Sequence, residues 1–102
     1  MRVTFTARHY KPSQRLKEYA EDEVTKMEKV FEGIINCDIV LDYQKDIQIA
    51  EINVVVHGQK LTVIEKTEDI YKSIDLAVGK MERQLIRYKE KKQQHADKAL
   101  SN

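Results

Sequence analysis

The sequence predicts a single α+β domain with the order β-α-β-β-β-α, in which a four-stranded mixed sheet carries two parallel helices on one face. Three observations predict it. Residues Thr67 to Gln93 hold Ile70, Ile74, Ala77, Val78, Met81, Leu85 and Tyr88 at steps of three and four, the stripe of a long helix with one apolar face. Four short stretches elsewhere alternate apolar and polar residues with the period of two that marks half-buried strands. Between two of them, Gly58-Gln59 signals a tight hairpin, because glycine tolerates the positive φ that such turns require.

Arg2 to Arg8 places Val3, Phe5 and Ala7 on one side of a first strand and Thr4 and Thr6 on the other, and Pro12-Ser13 stops it. Ser13 is expected to cap a helix that carries Leu16, Tyr19, Ala20, Val24 and Met27 at helical steps and ends near Gly33. In a second strand Ile35, Cys37, Ile39, Leu41 and Tyr43 would face inward, alternating with Asn36, Asp38, Val40 and Asp42. After a polar loop at Gln44-Lys45-Asp46, a third strand runs from Ile47 to His57 and a fourth from Lys60 to Lys66. With Gly58 first in a type II′ turn, His57 would face Lys60, Val56 would face Leu61 and Val54 would face Val63, so that the apolar residues share one side. Thr67 is expected to cap the last helix, with Glu68 and Asp69 in its first turn at the positive end of the helix dipole. Gly79 inside that helix costs about 1 kcal/mol relative to alanine and marks an expected weakness or bend. A right-handed crossover makes strands one and two parallel, and the hairpins make the others antiparallel. Both helices then run the same way, with their C-terminal ends together.

At 102 residues the chain is the size of one domain, expected to occupy residues 1–93 with a flexible C-terminal tail at 94–102. There is no apolar run near 18 residues and no charged-then-apolar leader, so neither a membrane span nor secretion is expected and the location expected is cytoplasmic. Cys37, the one cysteine, falls on inward parity and reads as a small buried apolar residue rather than a nucleophile. His9, His57 and His95 lie on different elements with no second ligand at metal-binding spacing, so no metal is expected. The chain has no glycine-rich phosphate loop, nucleophile elbow or paired carboxylates, so it is expected to be no enzyme and to need no cofactor.

The net charge of +1 conceals a strong pattern. Residues 1–14 carry three bases and no acid, residues 32–79 carry four bases against nine acids, and residues 80–102 carry seven bases against three acids. Lys80, Arg83, Arg87 and Lys91 form a basic row about 130° round the last helix from its apolar stripe, at ~100° per residue. The two-helix arrangement is expected to bring Lys26 and Lys29 towards the basic half of the last helix. Glu82 and Glu90 could make local ion pairs on a solvated face, yet like charges at these steps repel mildly and suit an anionic partner, most commonly a phosphate backbone. Tyr71 and Tyr88 fit the core, and Tyr10, beside Arg8 and His9, is the candidate for stacking on a base. On charge alone, a general double-stranded RNA binder and an adaptor that holds a basic protein through the acidic middle segment stay open as alternatives.

The runs Glu68-Asp69-Ile70-Tyr71-Lys72-Ser73-Ile74-Asp75, Lys80-Met81-Glu82-Arg83-Gln84-Leu85 and Arg87-Tyr88-Lys89-Glu90-Lys91 resemble the signature of the short ribosome hibernation-promoting factors. That family includes the ribosome-associated inhibitor once described as a sigma-54 modulation protein. The resemblance extends through Leu16-Lys17-Glu18-Tyr19 and Lys26-Met27-Glu28-Lys29, and so over nearly all of residues 1–93. It implies the same fold, and binding to the small ribosomal subunit in the mRNA and tRNA channel near the decoding region. It also implies inhibition of translation by steric exclusion in stationary phase or under stress. Carried over residue by residue, it implies rRNA contact at Lys26, Lys29, Lys80, Arg83, Arg87, Lys89, Lys91 and Lys92. The partners implied are small-subunit rRNA, assembled ribosomes and a small ribosome modulation factor that pairs ribosomes, with a monomer off the ribosome. Lys72-Ser73 and Gly79 depart from the family's usual residues.

Overall fold

The computed structural model describes the backbone of residues 1–100 and the side chains of residues 1–92; the expected tail at 94–102, and His95 with it, lies outside the fully described residues. The elements are β1 (Arg2–Ala7), α1 (Gln14–Thr25), β2 (Ile34–Gln44), β3 (Ile47–Val56), β4 (Gln59–Thr67) and α2 (Ile70–Leu100). The strands stand side by side in chain order, β1 parallel to β2 and the other pairs antiparallel. This is the expected four-stranded mixed sheet with two helices.

Register explains why the sheet has one apolar face. Val3, Cys37, Val54 and Leu61 form one row across it, and Phe5, Ile39, Ile52 and Val63 form the next. Leu16, Ala20, Val24 and Met27 from the first helical segment bury against these rows, as do Ile74, Ala77, Val78, Met81 and Leu85 from α2. The helices run parallel. Tyr19 on α1 stacks edge-on against Tyr71 at 4.9 Å near the start of α2, and Phe31, beyond α1, meets Tyr88 at 5.5 Å much further along. Among the described residues no helix is long and apolar enough to cross a membrane.

Several local expectations are corrected. Ser13 caps α1 as expected, its hydroxyl accepting from Leu16 N at 3.1 Å, but the α-helix stops at Thr25 and tightens into a 3-10 turn over Lys26–Lys29. Thr25 turns its hydroxyl back onto the Glu21 carbonyl at 2.7 Å, a bond that competes with regular continuation of the helix. Gly33 is not a left-handed cap: it clears space for Phe31, whose ring lies 2.7 Å from where a Cβ would stand. In β2 a bulge between Ile34 and Asn36 resets the parity, so Ile34 is buried and Ile35 is 51% exposed, the reverse of simple alternation. Tyr43, expected inward, is exposed at the β2–β3 end of the sheet and packs against Tyr10.

The β3–β4 hairpin pairs Val56 with Gln59, Val54 with Leu61 and Ile52 with Val63, so the turn is His57-Gly58 and Gly58, at φ 77°, is its second central residue. The register therefore differs by two from the one expected. A two-residue shift preserves parity, which is why the inward set is unchanged. At the start of α2, β4 pairing runs through Thr67, and Asp69 is the cap, its Oδ1 accepting from Tyr71 N at 2.9 Å. Ser73, one of the departures from the family pattern, is buried and donates to the Gln48 carbonyl at 2.8 Å, tying the first turn of α2 to β3.

The two glycines make opposite predictions. Gly79 lies in an uninterrupted helix with only Arg83 Nη1, at 3.9 Å, near its missing Cβ. Gly79→Ala should raise stability by about 1 kcal/mol and the melting temperature by roughly 4–8 °C. Gly33→Ala should lower stability by about 1 kcal/mol or more by forcing the Phe31 ring to move. Thermal melts of the two variants read both signs.

Burial pushes the Cys37 thiol up to about 12, so its reactive thiolate is scarce in the folded chain at neutral pH. A thiol reagent at pH 8 should label Cys37 only when denaturant unfolds the protein. Cys37→Ser should cost about 1 kcal/mol by placing a hydroxyl in an apolar site.

Candidate nucleic-acid interface

All eight cations singled out in the sequence are exposed, but they do not form one row. At ~100° per residue, Lys80, Arg83, Arg87 and Lys91 lie on one flank of α2 and Lys89 on the other, while Lys92 falls on the azimuth of the apolar stripe. Contacts identify the flanks. Lys80 Nζ lies 3.5 Å from Glu65 of β4, and Arg87 and Lys91 share a groove with Gln59 and Leu61 of the same strand, so the four-residue row overlooks β4. The opposite flank faces α1, since Tyr19 donates a 2.5 Å hydrogen bond to Asp75. That bond, above all, pushes the Tyr19 hydroxyl up to about 12.

Lys26 stands on the α1 side. Its ammonium bonds Glu23 at 2.8 Å, and this partner first, with Asp75 among the lesser causes, raises its pKa and keeps it charged. Lys29 closes the same 3-10 turn. Lys92 reaches over the Tyr88 ring, 5.3 Å from its centroid, so a cation covers the end of the apolar stripe. Lys26 thus stands on the far flank from Lys80, Arg83, Arg87 and Lys91, where the α2 charge acting on it is Asp75.

Tyr88 holds this end together. Its hydroxyl donates to the His57 carbonyl at 2.7 Å, its ring takes the edge contact from Phe31, and the β3–β4 turn is thereby fixed to the helix. Beside it, between α2 and β4, lies a groove of about 370 Å³ floored by Leu61 and Tyr88. Sequence reasoning missed this groove, because its lining comes from two elements, α2 and β4, that only tertiary packing brings together. Lys60 shares a strand row with Arg2, Asn36 and Val55 at the β3–β4 end of the open sheet face. Arg8 ends up at the opposite end of the sheet, so the basic N-terminal segment is split.

Tyr10 is no open stacking platform. Its ring packs on Tyr43 at 5.7 Å and its hydroxyl is buried. His9, at φ 72°, hydrogen bonds Asp42 at 2.8 Å, and this contact holds the Asp42 carboxyl below its usual range. Among the described residues no group of three histidine, cysteine or acidic side chains is placed to hold a metal ion.

Residues 3–93 match the family described as Sigma 54 modulation protein / S30EA ribosomal protein. The chain belongs to this family. It is similar to the ribosome hibernation promoting factor of Azotobacter vinelandii, at 30% identity over 91 residues, covering 89% of this chain and 85% of that protein. The factor of the same name from Klebsiella oxytoca is also 30% identical, over 95 residues, covering 93% of this chain and 100% of that one. Among solved structures, a ribosomal subunit interface protein from Coxiella burnetii superposes with a TM-score of 0.83 at 28% identity, covering 88% of this chain and 99% of that one. Membership of the Sigma 54 modulation protein / S30EA family accords with the expectation that the chain is no enzyme.

In this family member the clasp at Tyr88 is separable from the cations. Tyr88→Phe should lower stability by roughly 0.5–1.5 kcal/mol, the net worth of one hydrogen bond, while leaving the charge of the interface unchanged. Denaturant unfolding of the variant measures it.

Proposed function

We propose that this protein is a cytoplasmic ribosome hibernation factor that binds the small ribosomal subunit in the mRNA and tRNA channel, near the decoding region, and inhibits translation by steric exclusion. The observation that carries this reading is the exposed row Lys80, Arg83, Arg87 and Lys91 along a helix whose other face is locked in the core, in a chain whose relatives are named ribosome hibernation promoting factors. Lys26, Lys29 and Lys89 add cations on the α1 side and Lys92 one over the end of the apolar stripe, so rRNA phosphates can be met on more than one side of the helix. No catalytic step is needed, because occupancy of the channel excludes mRNA and tRNA.

The acidic middle segment supports this reading over a protein adaptor. Several of its carboxylates are engaged within the fold: Asp38 accepts from Thr4 at 2.7 Å, Glu51 from Asn53 at 2.9 Å, Asp42 contacts His9 and Glu65 pairs with Lys80.

Cations that meet phosphates release condensed counterions, so small-subunit binding should weaken steeply with salt. Arg83→Ala, Arg87→Ala and Lys91→Ala should each weaken binding and flatten the slope of log affinity against log salt by roughly one unit. Lys45→Ala, in the β2–β3 turn at the other end of the sheet, should change neither. Inhibition of translation in a purified system should fall in step with binding. Wild-type affinity and an unchanged salt slope in all three α2 variants would contradict the proposal.

A further inference from the structure

We infer that the groove between α2 and β4 seats a single unstacked RNA nucleotide, its base on Leu61 and Tyr88 and its phosphate on Arg87 and Lys91. The inference rests on the rRNA-binding reading above and adds to it a base-specific site.

The groove is built for one flat apolar object with a charged end. Its floor is the Leu61 side chain and the Tyr88 ring. The ring is held before any ligand arrives: its hydroxyl is tied to the His57 carbonyl at 2.7 Å, Phe31 lies edge-on at 5.5 Å, and Lys92 covers it at 5.3 Å. Bases splayed out of single-stranded RNA are characteristically taken by such aromatic and apolar surfaces.

The rim supplies recognition. Gln59 and Gln84 each bring an amide with a donor and an acceptor, the complement of a base edge, and neither side chain hydrogen bonds another side chain among the described residues. Arg87 and Lys91, one helical turn apart, stand where a phosphate attached to the seated nucleotide would fall. Glu90 is the acid at the mouth; it suits an exocyclic amine and opposes a carboxylate ligand. The volume of about 370 Å³ lies at the small end of ligand sites and takes one nucleotide, not a duplex. A leucine side chain from an acidic peptide would find the same floor, but it would leave both amides without partners and meet Glu90.

The test is an NMR titration of the full chain with a single-stranded RNA hexamer and with an abasic ribose-phosphate hexamer of equal length. Gln59 and Gln84 side-chain amide signals and Leu61 methyl signals should shift with the first and stay in place with the second. Affinity for the abasic hexamer should be about tenfold lower or less. The double variant Gln59→Ala, Gln84→Ala should weaken hexamer binding several-fold with the salt slope unchanged, since it removes no charge. Equal shifts of the groove signals by the abasic hexamer, or wild-type hexamer affinity in the double variant, would overturn the inference, as would an acidic leucine-containing peptide displacing the hexamer from the groove. Failure of the wild-type chain to bind small subunits would overturn the proposed function; the hexamer titration decides the groove whichever way that falls.

Discussion

Burial of the α2 stripe against the sheet is the constraint on which the rest depends. Ile74, Ala77, Val78, Met81 and Leu85 occupy one azimuth of the helix, and burying each large apolar side chain contributes on the order of 1.5–3 kcal/mol. A roll of the helix by one residue, ~100°, would bring charged side chains towards the sheet. The helix is also pinned at two points along its length, at Ser73 to the Gln48 carbonyl and at Tyr88 to the His57 carbonyl. The directions of its basic flanks are therefore set by the core rather than by the contacts of the cations themselves.

The charges themselves are held loosely, as a phosphate-binding surface requires. In the pairs Lys80–Glu65 and Lys26–Glu23 the lysine side chains are 53% and 59% exposed, so each ammonium stays open to a phosphate while its carboxylate partner is mostly covered. Same-sign neighbours along α2 repel mildly in the free protein, and an anionic partner relieves that repulsion. Stability thus resides in the apolar stripe and binding in the flanks, and the two can be altered separately.

Much of this was legible in the sequence because periodicity reports burial directly. The stripe of α2, the inward sets of β1 and β3 and the parallel crossover follow from residue spacing and chain direction. What escaped depends on interactions between elements. The bulge that turns Ile35 outward, the tightening of the chain after Thr25 and the capping of α2 by Asp69 are local choices made when the strands pair. The two-residue change of hairpin register left every inward residue inward, and the groove between α2 and β4 is lined by both elements, a juxtaposition that no spacing rule announces. The eight cations were found from charge and resemblance; the Tyr19–Asp75 and Lys80–Glu65 contacts were needed to show which element each flank of α2 faces.

Hydroxyl-radical probing from a tethered iron chelate would test the central claim most directly. Cys37 is buried and inert, so a cysteine introduced at exposed Ile86 on α2 can be labelled alone, and a second placed at Lys45 marks the opposite end of the molecule. On small subunits, the probe at position 86 should cleave rRNA strongly around the decoding region, and the probe at position 45 should give a weaker and different pattern. Cleavage from position 86 that is absent, or that falls outside the mRNA and tRNA channel, would contradict the account.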